Sequence, residues 1–235
     1  MLKVIEPNAS SAKENMQRDK ELLENLHNSS SPILHFYHWK SPSLTYGYFV
    51  DPKKVLHLEE IQKQKIDIAR RPTGGGVVFH TGDLAFSFLL PSSSEHFSKH
   101  ALTNYYFVHQ IVLKALKPWL QSTKVELTDQ DYPIEGPFNQ FFCMARPSKY
   151  DLIYEGRKIA GAAQRKTAKG YLHQGTISLL APQKNLLKRL VKDEMVLRSI
   201  LKYTSYFTEQ ESELLSLKKQ IKNALIEEYK KYFNS

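Results

Sequence analysis

The spacing of apolar residues changes period several times along the chain, and each change marks an element. Ser11 stands three residues before Glu14, the spacing of a helix-capping pair, and Met16, Leu22, Leu23 and Leu26 then fall on one helical face. This predicts a first helix over about 11–27. The runs ILHFYHW and LTYGYF, with Pro32, Pro42 and Gly47 around them, predict strands and turns. A short charged helical stretch near 58–65 leads into the strand IDIARR and then Pro72-Thr73-Gly74-Gly75-Gly76. VVFH, Thr81-Gly82-Asp83 and LAFSFLL predict a hairpin in which Leu84, Phe86, Phe88 and Leu90 alternate onto a core face.

Leu102, Tyr105, Ile111, Val112, Leu116, Trp119 and Leu120 keep helical spacing, so a long central helix is expected over about 97–121. YDLIY and KIAGAA, joined by Glu155-Gly156-Arg157, predict a second hairpin, and YLHQGTISLL a further strand. Pro182 suits the start of a helix reaching about 203, and Thr208 with Glu211 suits the cap of a last helix carrying Leu214, Leu215, Ile221, Leu225 and Tyr229. Strands joined mostly by short turns, with the helices apart from them, define an α+β class of mixed, mainly antiparallel sheets flanked by helices.

Length and composition narrow the picture. At 235 residues, 41% hydrophobic and 24% charged, the chain suits one globular domain and excludes disordered or fibrous classes. No apolar run approaches the roughly 18 residues of a membrane span, and the first residues lack a signal-peptide core, so a cytoplasmic protein without membrane attachment is expected. The single cysteine, Cys143, excludes an internal disulfide and a thiolate-rich zinc site, leaving a buried spectator or a reactive thiol. Nine histidines without an H-E-x-x-H or similar cluster predict no metal site. The formal charge is +9, and nine basic residues between Gly156 and Lys192 have no acidic residue among them. The excess therefore sits in one segment, as expected of a site for one anionic partner rather than of a general nucleic-acid binder.

Three consecutive glycines after Arg70-Arg71-Pro72-Thr73 permit positive φ and close approach of a ligand to the backbone. Neither G-x-x-x-x-G-K-[ST] nor G-x-G-x-x-G is present, so the familiar nucleotide loops are not supported. The whole run from Arg70 through Gly74-Gly75-Gly76 to His80 resembles the signature of the lipoate-protein ligase and octanoyltransferase family. Gly156-Arg157-Lys158-Ile159-Ala160-Gly161-Ala162-Ala163-Gln164, followed by His173-Gln174-Gly175-Thr176-Ile177, is similar to that family's second signature. The likeness extends from about residue 10 to 182, and includes Glu14-Asn15-Met16-Gln17-Arg18-Asp19.

The resemblance implies a fold shared with biotin ligases and attachment of a lipoyl or octanoyl chain to one lysine of a lipoyl carrier domain, either glycine cleavage H protein or a 2-oxoacid dehydrogenase E2. The segment from Cys143 through Pro147-Ser148-Lys149-Tyr150-Asp151-Leu152 resembles the cysteine-containing stretch of the octanoyltransferase branch, with Lys158 in register. That branch takes its acyl group from octanoyl-acyl carrier protein through a cysteine thioester and needs no cofactor. Gly76, where that branch usually has Arg or Lys, is closer to the ligases, which use free lipoate, ATP and magnesium and pass through lipoyl-AMP. A non-catalytic acyl or nucleic-acid binding protein is the remaining class.

Under the transferase reading Cys143 and Lys158 are catalytic, the lysine favouring the thiolate and donating to the acyl oxygen. The implied substrate cleft comprises Arg71, Gly74, Gly75, Gly76, His80, Gly161, Ala163, His173 and Gly175, with Arg165, Lys166 and Lys169 for acceptor docking. The catalytic domain is expected over 1–182, with 183–235 as a helical extension packed on it rather than an accessory domain.

Overall fold

Local chemistry sets the elements of the computed structural model, which describes residues 1–26, 31–121 and 124–234. A short strand β1 (Lys3–Ile5) precedes α1 (Ala12–Glu24), where the expected capping box forms: the Ser11 side chain accepts from Glu14 N, and the Glu14 carboxylate accepts from Ser11 N. Position 27, the expected helix end, lies outside the described residues. Next come β2 (Ile33–Phe36), β3 (Ser43–Tyr46), the short helices α2 (Pro52–Val55) and α3 (Leu58–Lys63), and β4 (Asp67–Arg70). β5 (Val78–His80) and β6 (Asp83–Pro91) precede the long helix α4 (Ala101–Leu116). β7 (Val125–Leu127), β8 (Leu152–Tyr154), β9 (Arg157–Lys166) and β10 (Gly170–Ser178) follow. The chain ends in α5 (Lys184–Leu190), α6 (Glu194–Tyr203) and α7 (Glu211–Phe233).

Seven strands form one sheet in the order β1-β2-β6-β10-β9-β8-β7, and β4-β3-β5 form a second. Only the β1–β2 and β3–β4 pairs are parallel, so the architecture is the mainly antiparallel α+β arrangement expected. Every residue of β6 and β10 is buried, which requires cover on both faces. Leu84, Phe86, Phe88 and Leu90 face the main core with Val108, Ile111 and Val112 of α4 and Ile221, Leu225 and Tyr229 of α7; the Tyr229 ring lies 4.6 Å from Phe88. On the other face Ser87 and Gln174 meet α1. Helices α5 and α6 complete a second core beneath the small sheet, with Leu187, Leu190, Val196 and Ile200 against Leu44, Val77 and Phe142.

Three expectations need correction. Residues 77–90 are not a hairpin, because β5 pairs with β3 and β6 with β2 and β10. The Thr81-Gly82 turn carries the chain from one sheet to the other, and it is pinned there: Gly82 O accepts from Leu179 N and Leu180 N at 3.0 and 2.7 Å. The helix expected over 182–203 is broken at 191–193, where Val191 bridges Leu56 and the Asp193 carboxylate caps α6. Thr208 accepts from Gln210 N and bonds Glu213 rather than Glu211, so α7 starts after Gln210. By contrast, the 152–166 hairpin turns through Glu155 and Gly156, both at positive φ, as a two-residue loop of this kind requires.

Candidate active site

The glycine run leaves β4 and packs against the loop before β8. Gly76 lies so close to Phe141 that a Cβ there would fall 2.3 Å from its carbonyl carbon, and Val77 N donates to Phe141 O at 2.6 Å. Gly75 has φ +78°. The Arg71 side chain, 5% exposed, ties the loop down by donating to Gly76 O at 2.5 Å and Gly74 O at 3.2 Å, and it also donates to Thr45 Oγ1 at 2.8 Å. Thr45 Oγ1 lies 2.8 Å from His80 Nε2, and His80 Nδ1 lies 2.7 Å from Asp83 Oδ2, which also accepts from Thr176. Burial pushes the Asp83 carboxyl up, but the His80 charge and hydrogen bond outweigh it and hold the group below its ordinary value.

Cys143 follows directly, because Cys143 N donates to Val77 O and this fixes the residue opposite the glycine run. Its Sγ accepts from Gly76 N at 3.0 Å and lies 3.8 Å from Arg71 Nη2. Lys158, buried on β9, pairs with Asp151 Oδ2 at 2.7 Å and donates to the Cys143 carbonyl at 2.9 Å. Its hydrogen bonds thus reach the cysteine's main chain, and the cation beside the sulfur is Arg71. Asp151 also accepts from Tyr105 OH at 2.5 Å and Ser148 N at 2.7 Å, and Tyr105 OH accepts from Ala162 N. Gly161 lets this ion pair sit against the strand, since a Cβ there would lie 2.2 Å from Lys158 Cε.

Cys143, Lys158, Arg71, His80, Gly161, Ala163 and Gly175 all line one cleft between the two sheets. Gly74 and Gly76 stand beside it through their bonds to Arg71. His173 does not join them: alternation along β10 turns it to the core side, where its ring lies 5.2 Å from His109 and 5.4 Å from Tyr105. Burial holds both imidazoles below their ordinary value, His109 at about 4. Nor do the basic residues of the 156–192 segment share one surface. Lys158 is buried in its ion pair, Lys169 donates to Glu24 O at the end of α1, and Arg165 donates to Pro72 O beside the glycine run. Lys192 meets Lys53 O near α2, while Lys166 is exposed at the end of β9.

Sequence reasoning missed the cleft's polar wall. Gln174 accepts from Thr73 Oγ1 and donates to Asp19, which is fully buried and also bonded to His35, Tyr37 and Ser87. The available signal was Asp19 on the buried face of α1, three residues after Met16 and four before Leu23. Among the described residues no group of three or more His, Cys, Asp or Glu is placed to hold a metal ion, and no helix is long and apolar enough to cross a membrane.

The lipoyl protein ligase A/B catalytic domain, as a family description, matches residues 11–232. The chain belongs to that family. Among curated relatives it is 33% identical over 184 residues to octanoyltransferase LipM of Geobacillus kaustophilus, covering 76% of this chain and 65% of the relative. It is 30% identical over 178 residues to octanoyltransferase LipM of Lysinibacillus sphaericus, covering 74% and 64%. The chain thus spans just under two thirds of these relatives' length. Among solved structures, lipoate-protein ligase A bound with ATP superposes with TM-score 0.72 at 22% identity, over 97% of this chain and 84% of that one. A Thermoplasma acidophilum bipartite lipoate protein ligase, described with its E2 lipoyl domain, gives 0.65 at 21% identity over 98% and 82%. At these identities the structures establish the shared lipoyl ligase fold.

Proposed function

We propose that this member of the lipoyl ligase family is an octanoyltransferase that moves an acyl group from octanoyl-acyl carrier protein to a lysine of a lipoyl carrier domain through a Cys143 thioester. The observation that carries this is the position of Cys143 Sγ, in the cleft, 3.0 Å from the Gly76 N–H and beside the Arg71 guanidinium. The Cys143 sulfur gives its proton to solvent and attacks the donor's thioester carbonyl, electrons pass to the oxygen, and collapse expels the donor thiol as thiolate, which takes a proton back from solvent. A neutral acceptor amine then attacks the octanoyl-cysteine. The amide forms, the amine's proton passes to the departing sulfur by way of solvent, and Cys143 is released as the thiol. An ammonium has three N–H donors, and Lys158 uses two of them on Asp151 and Cys143 O. The third is left to donate to the acyl oxygen as charge develops there.

This reading sets the carriers, whether H protein or E2 domain, as partners and the cytoplasm as the site of action, with no cofactor. Incubation with octanoyl-carrier protein and no acceptor should add one octanoyl group to Cys143, seen by intact mass and removed by hydroxylamine. Cys143→Ser should abolish transfer, because a hydroxyl is far less ionised than a thiol and the groups bonded to the sulfur among the described residues, Gly76 N and Arg71, are donors rather than bases. Full activity of that variant with lipoate and ATP, without any acyl-enzyme, would instead establish the ATP-dependent ligase.

A further inference from the structure

We infer that the Tyr48–Phe49 turn, beside the Cys143 cleft, is the anchor on which the acceptor carrier domain seats, through an apolar patch set among acidic residues near its target lysine. The inference rests on the acyl-transfer reading for the identity of the acceptor and names the surface that receives it.

Phe49 is 89% exposed and Tyr48 48%, yet the turn that carries them is fixed. Val50 N donates to Gly47 O at 3.0 Å and Tyr48 N to Thr73 O at 2.9 Å. Gly47 packs so tightly on the glycine run that a Cβ there would fall 1.9 Å from Gly75 O. The two rings meet edge to face with centres 5.2 Å apart, and the Arg70 guanidinium lies 4.7 Å from the Tyr48 ring. An aromatic side chain held out to solvent on a fastened turn loses little freedom when a partner covers it, which suits it to a binding anchor. The partner follows from reach. On the other side of the glycine run lies the nucleophile, since a Cβ on Gly75 would stand 3.2 Å from Cys143 Sγ. An acceptor lysine carries its amine on four methylenes, so its main chain has to come to the rim of the cleft and the surface around it has to cover what stands there. Tyr48 also lines the groove of Lys20, Arg70 and Arg165, whose wall contains no acidic residue and which meets the cleft at Arg71. Asp51, the nearest acid in sequence, is committed to Lys53 N at the start of α2. An apolar centre with cations beside it matches a carrier surface of opposite charge with an apolar patch at its middle.

Steady-state transfer from octanoyl-acyl carrier protein to H protein or an E2 domain reads the anchor. Phe49→Ala should raise KM for the acceptor carrier by about tenfold or more, the loss expected on truncating an aromatic hot spot. Phe49→Leu should recover part of it. Because the contact is apolar, the rise should persist at high salt, where the pull of the surrounding cations is screened. Release of the octanoyl group from Cys143 by hydroxylamine, an amine with no domain to seat, should keep its wild-type rate. Leu215→Ala removes a side chain 80% exposed on α7 that lines neither the cleft nor the basic groove, and should leave KM in place. An unchanged KM in Phe49→Ala overturns the inference, as does an equal slowing of hydroxylamine release, which would make the turn part of the cleft's own structure. Slower formation of octanoyl-enzyme with an unchanged acceptor KM would give the anchor to the donor carrier, and conversion of a wild-type dimer to monomer with an unchanged KM would give it to a second copy; either overturns the assignment. If no octanoyl-enzyme forms, the transfer reading fails by itself, and the same KM comparison run with lipoate and ATP decides the anchor.

Discussion

The three consecutive glycines have separate roles. A Cβ on Gly74 would meet nothing within 4 Å, whereas on Gly75 it would lie 3.1 Å from Ala163 and 3.2 Å from both Arg71 Nη2 and Cys143 Sγ, on a backbone at φ +78°. Gly74→Ala should therefore keep both stability and transfer. Gly75→Ala should cost about 1–2 kcal/mol by its left-handed backbone and should also crowd the sulfur, lowering kcat; denaturant melts and single-turnover assays of the pair would show it. The sequence pointed to a loop that something approaches closely. It could not show that Gly76 is approached by Phe141 of the same chain, because that neighbour arrives from 65 residues away. Asp151 was visible only as one acidic position in a family phrase, and its pairing depends on the β8–β9 hairpin bringing it to Lys158. Asp151→Ala should destabilise by about 3–5 kcal/mol, since it leaves a buried ammonium unpaired, while adding Lys158→Met should restore part of that. Equal stability of the two variants in urea would count against this account.

Among the elements, amphipathic helices and one-sided strands were legible because each carries its own period, and α1, α4 and the 152–166 hairpin lie where the pattern placed them. The failed hairpin at 77–90 has the same local signals, a short polar turn between two apolar runs. What decides it is non-local, the two bonds by which Gly82 O is held to Leu179 and Leu180. His173 failed for a related reason. Strand alternation makes its face depend on register with β6 and β9, so Gln174 took the cleft and His173 the core. The resulting His109–His173 pair between α4 and β10 carries a pH consequence. In the unfolded chain His109 titrates near 6.5, in the fold at about 4, so between these values the unfolded state binds more protons. Stability contributed by His109 is complete above about 6.5 and is lost as pH falls toward 4, by up to about 3 kcal/mol. Urea midpoints from neutral pH to acid should fall in that window, and His109→Phe should flatten the slope there; an unchanged slope would refute the assignment.

For the whole molecule, the concentration of charge in one sequence segment proved a poor guide to surface, because folding sends that segment through a buried strand, a hairpin and a helix on the far core. The basic residues that do converge come from separate segments. Lys13 and Lys20 of α1, Arg70 of β4 and Arg165 of β9 line one groove, without an acidic residue in its wall, and Arg71 at its edge also lines the Cys143 cleft. Arg70 stacks on Tyr48, 4.7 Å from the ring, which leaves its charge at the rim. Of the residues expected to dock the acceptor, only Arg165 belongs to this groove; Lys169 is committed to the end of α1. Under the proposed transfer, an acidic carrier domain approaching this groove would bring its acyl arm or its lysine toward the cleft, and the attraction would act through exposed charges screened over about 8 to 10 Å near physiological salt. Charge reversal at Lys20 and Arg165 together should raise the apparent KM for the carrier several-fold at low salt. The difference from wild type should shrink as ionic strength rises, and kcat at saturating carrier should change little, because neither residue touches Cys143. Reversal at Lys184 and Lys188 of α5, which lie outside the groove, should leave KM in place. Steady-state titrations with H protein or an E2 domain at two salt concentrations make the comparison, and an unchanged KM for Lys20→Glu/Arg165→Glu at low salt would remove the groove from the docking path.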